Sequence, residues 1–122
     1  MIRSRRDPGG LLPLTPTMFE VLIALADGEK HGYAVIKEVA RRTGGRVTLS
    51  AGTLYAIIRR FVSEGVIEET DERPDPALDD ERRRYYRLTE FGRAVARAEA
   101  ERMETALGMA RAKRLVPGGS QA

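Results

Sequence analysis

Tyr55, Arg59 and Arg60 sit in a segment, Ser50 to Glu69, whose residue types suit the recognition of phosphates and base edges. An arginine fork bonds two oxygens at once, and a phenol hydroxyl both donates and accepts, so the grooves of double-stranded DNA are a surface they fit. Leu54, Ile57, Ile58, Phe61 and Val62 recur at the spacing of one helical face, which predicts that this face packs inward. The opposite face then carries Gly52, Ala56, Arg59 and Ser63, flanked by Tyr55 and Arg60. Small residues there let a helix approach a groove closely. Ser50 stands where a hydroxyl caps the helix, and Thr53 lies one turn in. An ordinary amphipathic helix with a solvated arginine face has the same pattern, so the segment must be weighed with the elements around it.

Enzyme chemistry has little support. The chain has no cysteine, which excludes a thiolate nucleophile, a disulfide framework and a cysteine-ligated metal. Its single histidine, His31, has no serine or cysteine that the sequence places beside it, and at a helix start it is expected to bond backbone. No cofactor is expected. With 42% hydrophobic and 32% charged residues in 122, one domain with a modest core is predicted, and no apolar run is long enough to cross a bilayer. Arg3, Arg5 and Arg6 lead into Asp7, Pro8, Gly9 and Gly10, not into an apolar stretch, so a cytoplasmic location without membrane attachment is expected.

The net charge of +3 is small, so its distribution decides what the chain can attract. Residues 1–65 carry ten basic and six acidic side chains, 66–88 carry five and eight, and 89–122 carry six and four. Affinity for DNA must therefore come from local arginine clusters and gain from having two copies.

Around the segment, Pro8, Gly9, Gly10 and Pro13 read as a flexible basic arm over residues 1–13. Thr15-Pro16 starts a first helix with Met18, Phe19, Leu22, Leu25 and Ala26 inward, up to Asp27-Gly28. A second helix is expected from about His31 to Thr43, with Tyr33, Ile36, Val39 and Ala40 inward, Lys37, Arg41 and Arg42 on a basic edge, and Gly44-Gly45 as its stop. Arg46 to Thr48 is expected as a short strand. After Gly65, Val66-Ile67 opens a hairpin with a long polar tip, returning through Arg82 to Leu88. On the return strand the two-residue period sends Tyr86 and Leu88 to the core and Arg83, Tyr85 and Arg87 outward, where they meet a phosphate backbone or pair with Glu68, Glu69 and Asp80.

Thr89 is the expected cap of a last helix running to about Val116, some 40 Å long at the α-helical rise, with residues 117–122 as a disordered tail. Its narrow apolar stripe, Phe91, Val95, Ala98, Met103, Ala106, Leu107 and Ala110, needs another helix to cover it, and the same helix of a second copy is the natural choice.

Three helices followed by a two-stranded hairpin are the parts of a winged helix-turn-helix over 14–88, making the fold mainly α with a small β-hairpin and a dimerisation helix over 89–116. Here His31-Gly32-Tyr33, Gly52-Thr53-Leu54-Tyr55 leading to Arg59-Arg60 and Glu64-Gly65-Val66-Ile67, and Arg83-Arg84-Tyr85-Tyr86-Arg87-Leu88-Thr89 with Gly92-Arg93 together resemble the PadR family of transcriptional regulators. The resemblance covers roughly residues 14–110 and looks like the short branch, with one C-terminal helix. It implies a homodimeric DNA-binding regulator, generally a repressor, whose last helix carries the dimer contact. Ala56 stands where the family often has proline, which predicts a straighter third helix, and the absence of tryptophan separates this chain from members that hold flat aromatic drugs between tryptophans.

The resulting expectation is a dimer reading a pseudo-palindromic operator, with Ser50, Thr53, Tyr55, Arg59 and Arg60 on the third helix, Arg83 and Tyr85 on the wing, and Lys37 on the second helix as contacts. A small effector in the dimer crevice is a further possible partner. The rival from another class is a winged-helix module that uses the same face to bind a protein and never touches DNA.

Overall fold

The computed structural model describes residues 7–74 and 82–117, without the side chains of 71–74, 82 and 83. The side chain of Arg83, the arginines at 3, 5 and 6, the hairpin tip and the last five residues lie outside the described ones. Four helices and three strands follow one another: α1 (Pro16–Leu25), β1 (Lys30–His31), α2 (Gly32–Arg42), α3 (Ala51–Ser63), β2 (Ile67–Pro74), β3 (Arg82–Leu88) and α4 (Glu90–Ala112).

Each helix begins on a side-chain cap that satisfies a backbone donor otherwise left orphaned. Thr15 accepts from the Met18 N–H with Pro16 next to it, His31 from Ala34, Ser50 from Thr53 and Thr89 from Gly92. His31 bonds backbone as its position foretold. At the ends, Gly44, Gly45 and Gly65 take positive φ (63°, 83° and 76°), conformations that glycine adopts without a Cβ clash.

The core lies where one face of each of the four helices meets the sheet: Leu22, Val39, Leu54, Phe61, Val66 and Val95 are all fully buried. Val21, Ala24 and Val35 join them, and Val35 takes the inward position expected of Tyr33. Tyr33 is 49% exposed, Val62 44% exposed and Ala26 exposed, because each sits at the edge of its helix's buried stripe, where a shift of one residue decides the side. Glu20 and Glu38 both hold Arg42 (2.5 and 2.7 Å), tying α1 to α2.

The sheet is antiparallel in the order β1-β3-β2. Its third strand is Lys30–His31, opposite Tyr86 and Tyr85, and not the Arg46 to Thr48 stretch expected to fill that place. The Thr43 hydroxyl accepts the Val47 N–H (3.1 Å) and donates to the Val39 carbonyl (2.8 Å), folding that stretch back on α2 with no strand to pair with. Between β2 and β3 the register slips between Glu69 and Glu72, and Thr70 donates to the Tyr85 carbonyl (3.3 Å) at that irregularity.

At the N-terminal side, part of the expected flexible arm is folded. Residues 8–11 make one 3-10 turn capped by Asp7, and Leu11, Leu12 and Leu14 pack on the core, because apolar residues follow the two glycines. The last helix stops at Ala112, earlier than Val116: Arg114 turns to φ 66° and the Leu115 N–H returns to the Ala110 carbonyl (2.8 Å).

Candidate nucleic-acid interface

Helix α3 presents the expected outer row. Gly52, Ala56, Arg59 and Ser63 are all exposed, opposite buried Leu54, Ile58 and Phe61. At its start Ser50 and Thr53 are exposed, with their hydroxyls 3.1 Å apart and the Thr53 N–H bonded to Ser50 Oγ (3.1 Å). Among the described residues no carboxylate pairs with Arg59, whereas Arg60 is drawn back to Glu64 (3.3 Å), one turn on. The row is thus small and polar around one outward guanidinium.

Tyr55 differs from the expectation. Its hydroxyl end packs where a Cβ on Gly32 would stand, with Cζ 2.9 Å from that point, so any residue other than glycine at 32 would have to push the ring aside. The phenol joins α3 to the start of α2 and is 36% exposed, its hydroxyl turned toward its own domain. Burial, and then the neighbouring Tyr55, push the Tyr86 phenol up from its ordinary value.

The same spot receives the hairpin. His31 pairs with Tyr85 across β1 and β3, and the two rings meet edge to face at 5.4 Å. The three sequence stretches around His31, Tyr55 and Tyr85 therefore converge on one corner, the start of α2. That corner fixes α2, α3 and the wing relative to one another. Tyr33 and Lys37 stand on the open side of α2, the ammonium 5.3 Å from the ring centroid. Tyr33 was not among the expected contacts. Its place beside Lys37, one turn along the helix, is the signal that a strict reading of the apolar stripe hides.

On the wing, opposite charges lie across the strands. Arg87 bonds Glu68 (2.7 Å) and Arg84 lies 3.8 Å from Glu69, the pairing weighed against phosphate contact. Tyr85 is half-buried.

The expected interface stripe on α4 divides in two. Val95 is fully buried in its own core and Phe91 packs against that core, so neither belongs to an outward stripe as expected. The reason is Gly92: a Cβ there would drive into the Val66 carbonyl oxygen, so the first turn of α4 lies directly on the connection between α3 and β2. Ala98 is half-buried, as is Ala110. From Glu101 to Met109 every residue is exposed, and Met103, Leu107 and Met109 present 43, 41 and 57% of their surface. Between α1 and α4 an open cleft of about 260 Å³ is lined by Phe19, Ile23, Ala96 and Ala100 with Arg93 and Arg97. Among the described residues no group of histidines or carboxylates is placed to hold a metal, and no helix is long and apolar enough to cross a membrane.

Residues 21–98 match the transcriptional regulator PadR-like family. A crystal structure of a PadR family transcriptional regulator from Eggerthella lenta is 29% identical, with a TM-score of 0.61 over 83% of this chain and 82% of that one. Bacillus subtilis PadR in complex with operator DNA is 18% identical, with a TM-score of 0.58 over 66% of this chain and 44% of that one, a likeness of fold. An uncharacterized protein of Lysinibacillus sphaericus is 30% identical over 74 residues, 61% of this chain and 65% of that protein's length.

Proposed function

Since the chain belongs to the PadR-like family of transcriptional regulators, we propose that it is a homodimeric, cytoplasmic repressor that reads operator DNA with α3 and positions itself with α2 and the wing. The observation that carries this is the outer row of α3, small residues around an Arg59 with no carboxylate partner among the described residues. Ser50, Thr53 and Arg59 would reach base edges and the flanking backbone. Lys37, Tyr33 and the wing's Tyr85 would hold phosphates, Arg60 would join them from the margin, and Arg83 is proposed as a further phosphate contact from its place in the sequence of the wing. Tyr55 serves the site by setting the angle between α2 and α3. That the Bacillus subtilis relative was solved in complex with operator DNA supports the same use of this fold.

A second copy is called for by the free half of α4. Met103, Leu107 and Met109 on a helix that has left its own core are covered when the same helix of another copy lies against them. Two reading heads then face successive major grooves about 34 Å apart. Repression follows from occupying promoter DNA, and an effector seated near the crevice between copies would release it by changing the spacing of the heads.

Fluorescence anisotropy against the DNA upstream of its own gene, at two salt concentrations, tests this. Tight, salt-dependent binding that exceeds binding to scrambled DNA is expected. Equal weak binding to both sequences would leave the protein-binding module as the better reading.

A further inference from the structure

Among the described residues Glu99 is the one fully buried charged side chain, at 1% exposure. It lies on α4 at the point where the helix leaves its own domain, since the residues after it are exposed. One carboxylate oxygen accepts the backbone N–H of Leu14 (3.1 Å), the residue just before the cap of α1. Arg102 closes the other side, its Nε donating to Oε1 (2.6 Å) and a terminal nitrogen to Oε2 (3.1 Å). Residues 8–11, just ahead of Leu14 in the chain, also pack against α4.

A buried carboxylate is expensive to place, and core packing alone would be served as well by leucine. The directional bonds instead fix one azimuth and one height of α4 against the start of α1. We infer that Glu99, clamped by Arg102 to the Leu14 N–H, is a positioning residue that sets the angle at which α4 leaves the reading head, and with it the spacing of the two heads in the dimer. The inference rests on the proposed dimer through α4. It concerns geometry: neither Glu99 nor Arg102 belongs to the DNA-facing row, and a single head reads its half-site without them.

The chain has no cysteine, so Thr48→Cys, on an exposed loop of the reading head, gives a single spin-label site in the full-length protein. Light scattering should return a dimer, and electron-electron resonance one narrow head-to-head distance. Glu99→Leu should stay helical and dimeric while that distance distribution broadens. Its affinity for a two-half-site promoter fragment should fall roughly tenfold, with affinity for a single half-site unchanged, because two-headed binding depends on matched spacing. Glu99→Gln, whose amide oxygen still accepts the Leu14 N–H, should restore the narrow distance. Should Glu99→Leu not fold, Arg102→Met on the exposed side of the clamp is expected to broaden the distance in the same way. Distances that stay narrow in every folded variant, or half-site and two-site affinities that fall together, overturn the inference while leaving DNA reading intact. A wild-type protein that is monomeric removes the dimer, and this role of Glu99 with it.

Discussion

Arg59 and Arg87 are both exposed arginines, yet their surroundings give them different roles. Among the described residues Arg59 has no carboxylate partner, while Arg87 is bonded to Glu68 at 2.7 Å, so a phosphate must compete for Arg87 but not for Arg59. Arg59→Ala should therefore weaken operator binding and, if its contact is to phosphate, flatten the salt dependence by about one unit of slope, whereas a base contact would relax specificity by about 1–3 kcal/mol at one position. Arg87→Ala should change either quantity much less. Glu99 adds a prediction in pH. The guanidinium of Arg102, bonded to it, holds its carboxyl below the usual range, assisted by the Leu14 N–H and opposed by burial. A depressed folded value means that this carboxylate stabilises the fold above the ordinary carboxylate pKa, and that the contribution is lost as pH falls through the lower, folded value. In acid-titrated thermal melts, Glu99→Gln should lose less stability than wild type across that window. An identical acid limb would show that the pair contributes nothing.

At the scale of elements, caps and glycines carry most of what holds the wing and α4 in place. Thr89 both accepts the Gly92 N–H (2.9 Å) and donates to the Gly65 carbonyl (2.5 Å), so one hydroxyl joins the end of α3 to the start of α4. Thr89→Ala should cost about 1 kcal/mol in denaturant unfolding. Gly92→Ala should cost more, since its methyl group meets the Val66 backbone and the helix must lift away; overpacking of this kind costs roughly 1–3 kcal/mol. These elements were readable because their signals are local: Thr15-Pro16, Ser50 and Thr89 announce helix starts, and Gly44-Gly45 and Gly65 announce stops. What stayed hidden depends on contacts distant in sequence. Nothing near Lys30–His31 marks a strand, since two residues extend only because β3 lies beside them. The hydroxyl of Tyr55 turns inward because Gly32, more than twenty residues earlier, leaves room for it. Val95 looked like one more residue of an outward stripe, and only the close approach permitted by Gly92 shows that the stripe's first half is core.

For the molecule as a whole, the question is how a chain with a net charge of +3 can hold DNA at all. Among the described residues a single head offers an unpaired Arg59 on α3, Lys37 and Arg41 on α2, and a wing whose Arg84 and Arg87 face glutamates across the sheet. Counterion release from so few phosphate contacts gives weak binding, and it weakens further as salt rises. Joining two heads through α4 makes the second contact intramolecular, which raises apparent affinity by roughly 10²–10⁴ without any new bond to DNA. The proposed dimer would then answer the charge distribution as well as cover the exposed Met103, Leu107 and Met109. Leu107 is 41% exposed within residues 101–109 of α4, all of which are exposed, so Leu107→Asp spares the buried core and puts a charge where the second helix would lie. Light scattering should find it monomeric, with an unchanged circular dichroism spectrum. Its affinity for a two-half-site operator should drop to that of a lone half-site, and its salt slope should halve, because half as many phosphates are neutralised per binding event. A Leu107→Asp protein that remained a dimer and bound operator as wild type would place the contact between copies elsewhere on the surface, with the cleft between α1 and α4 as the next face to probe.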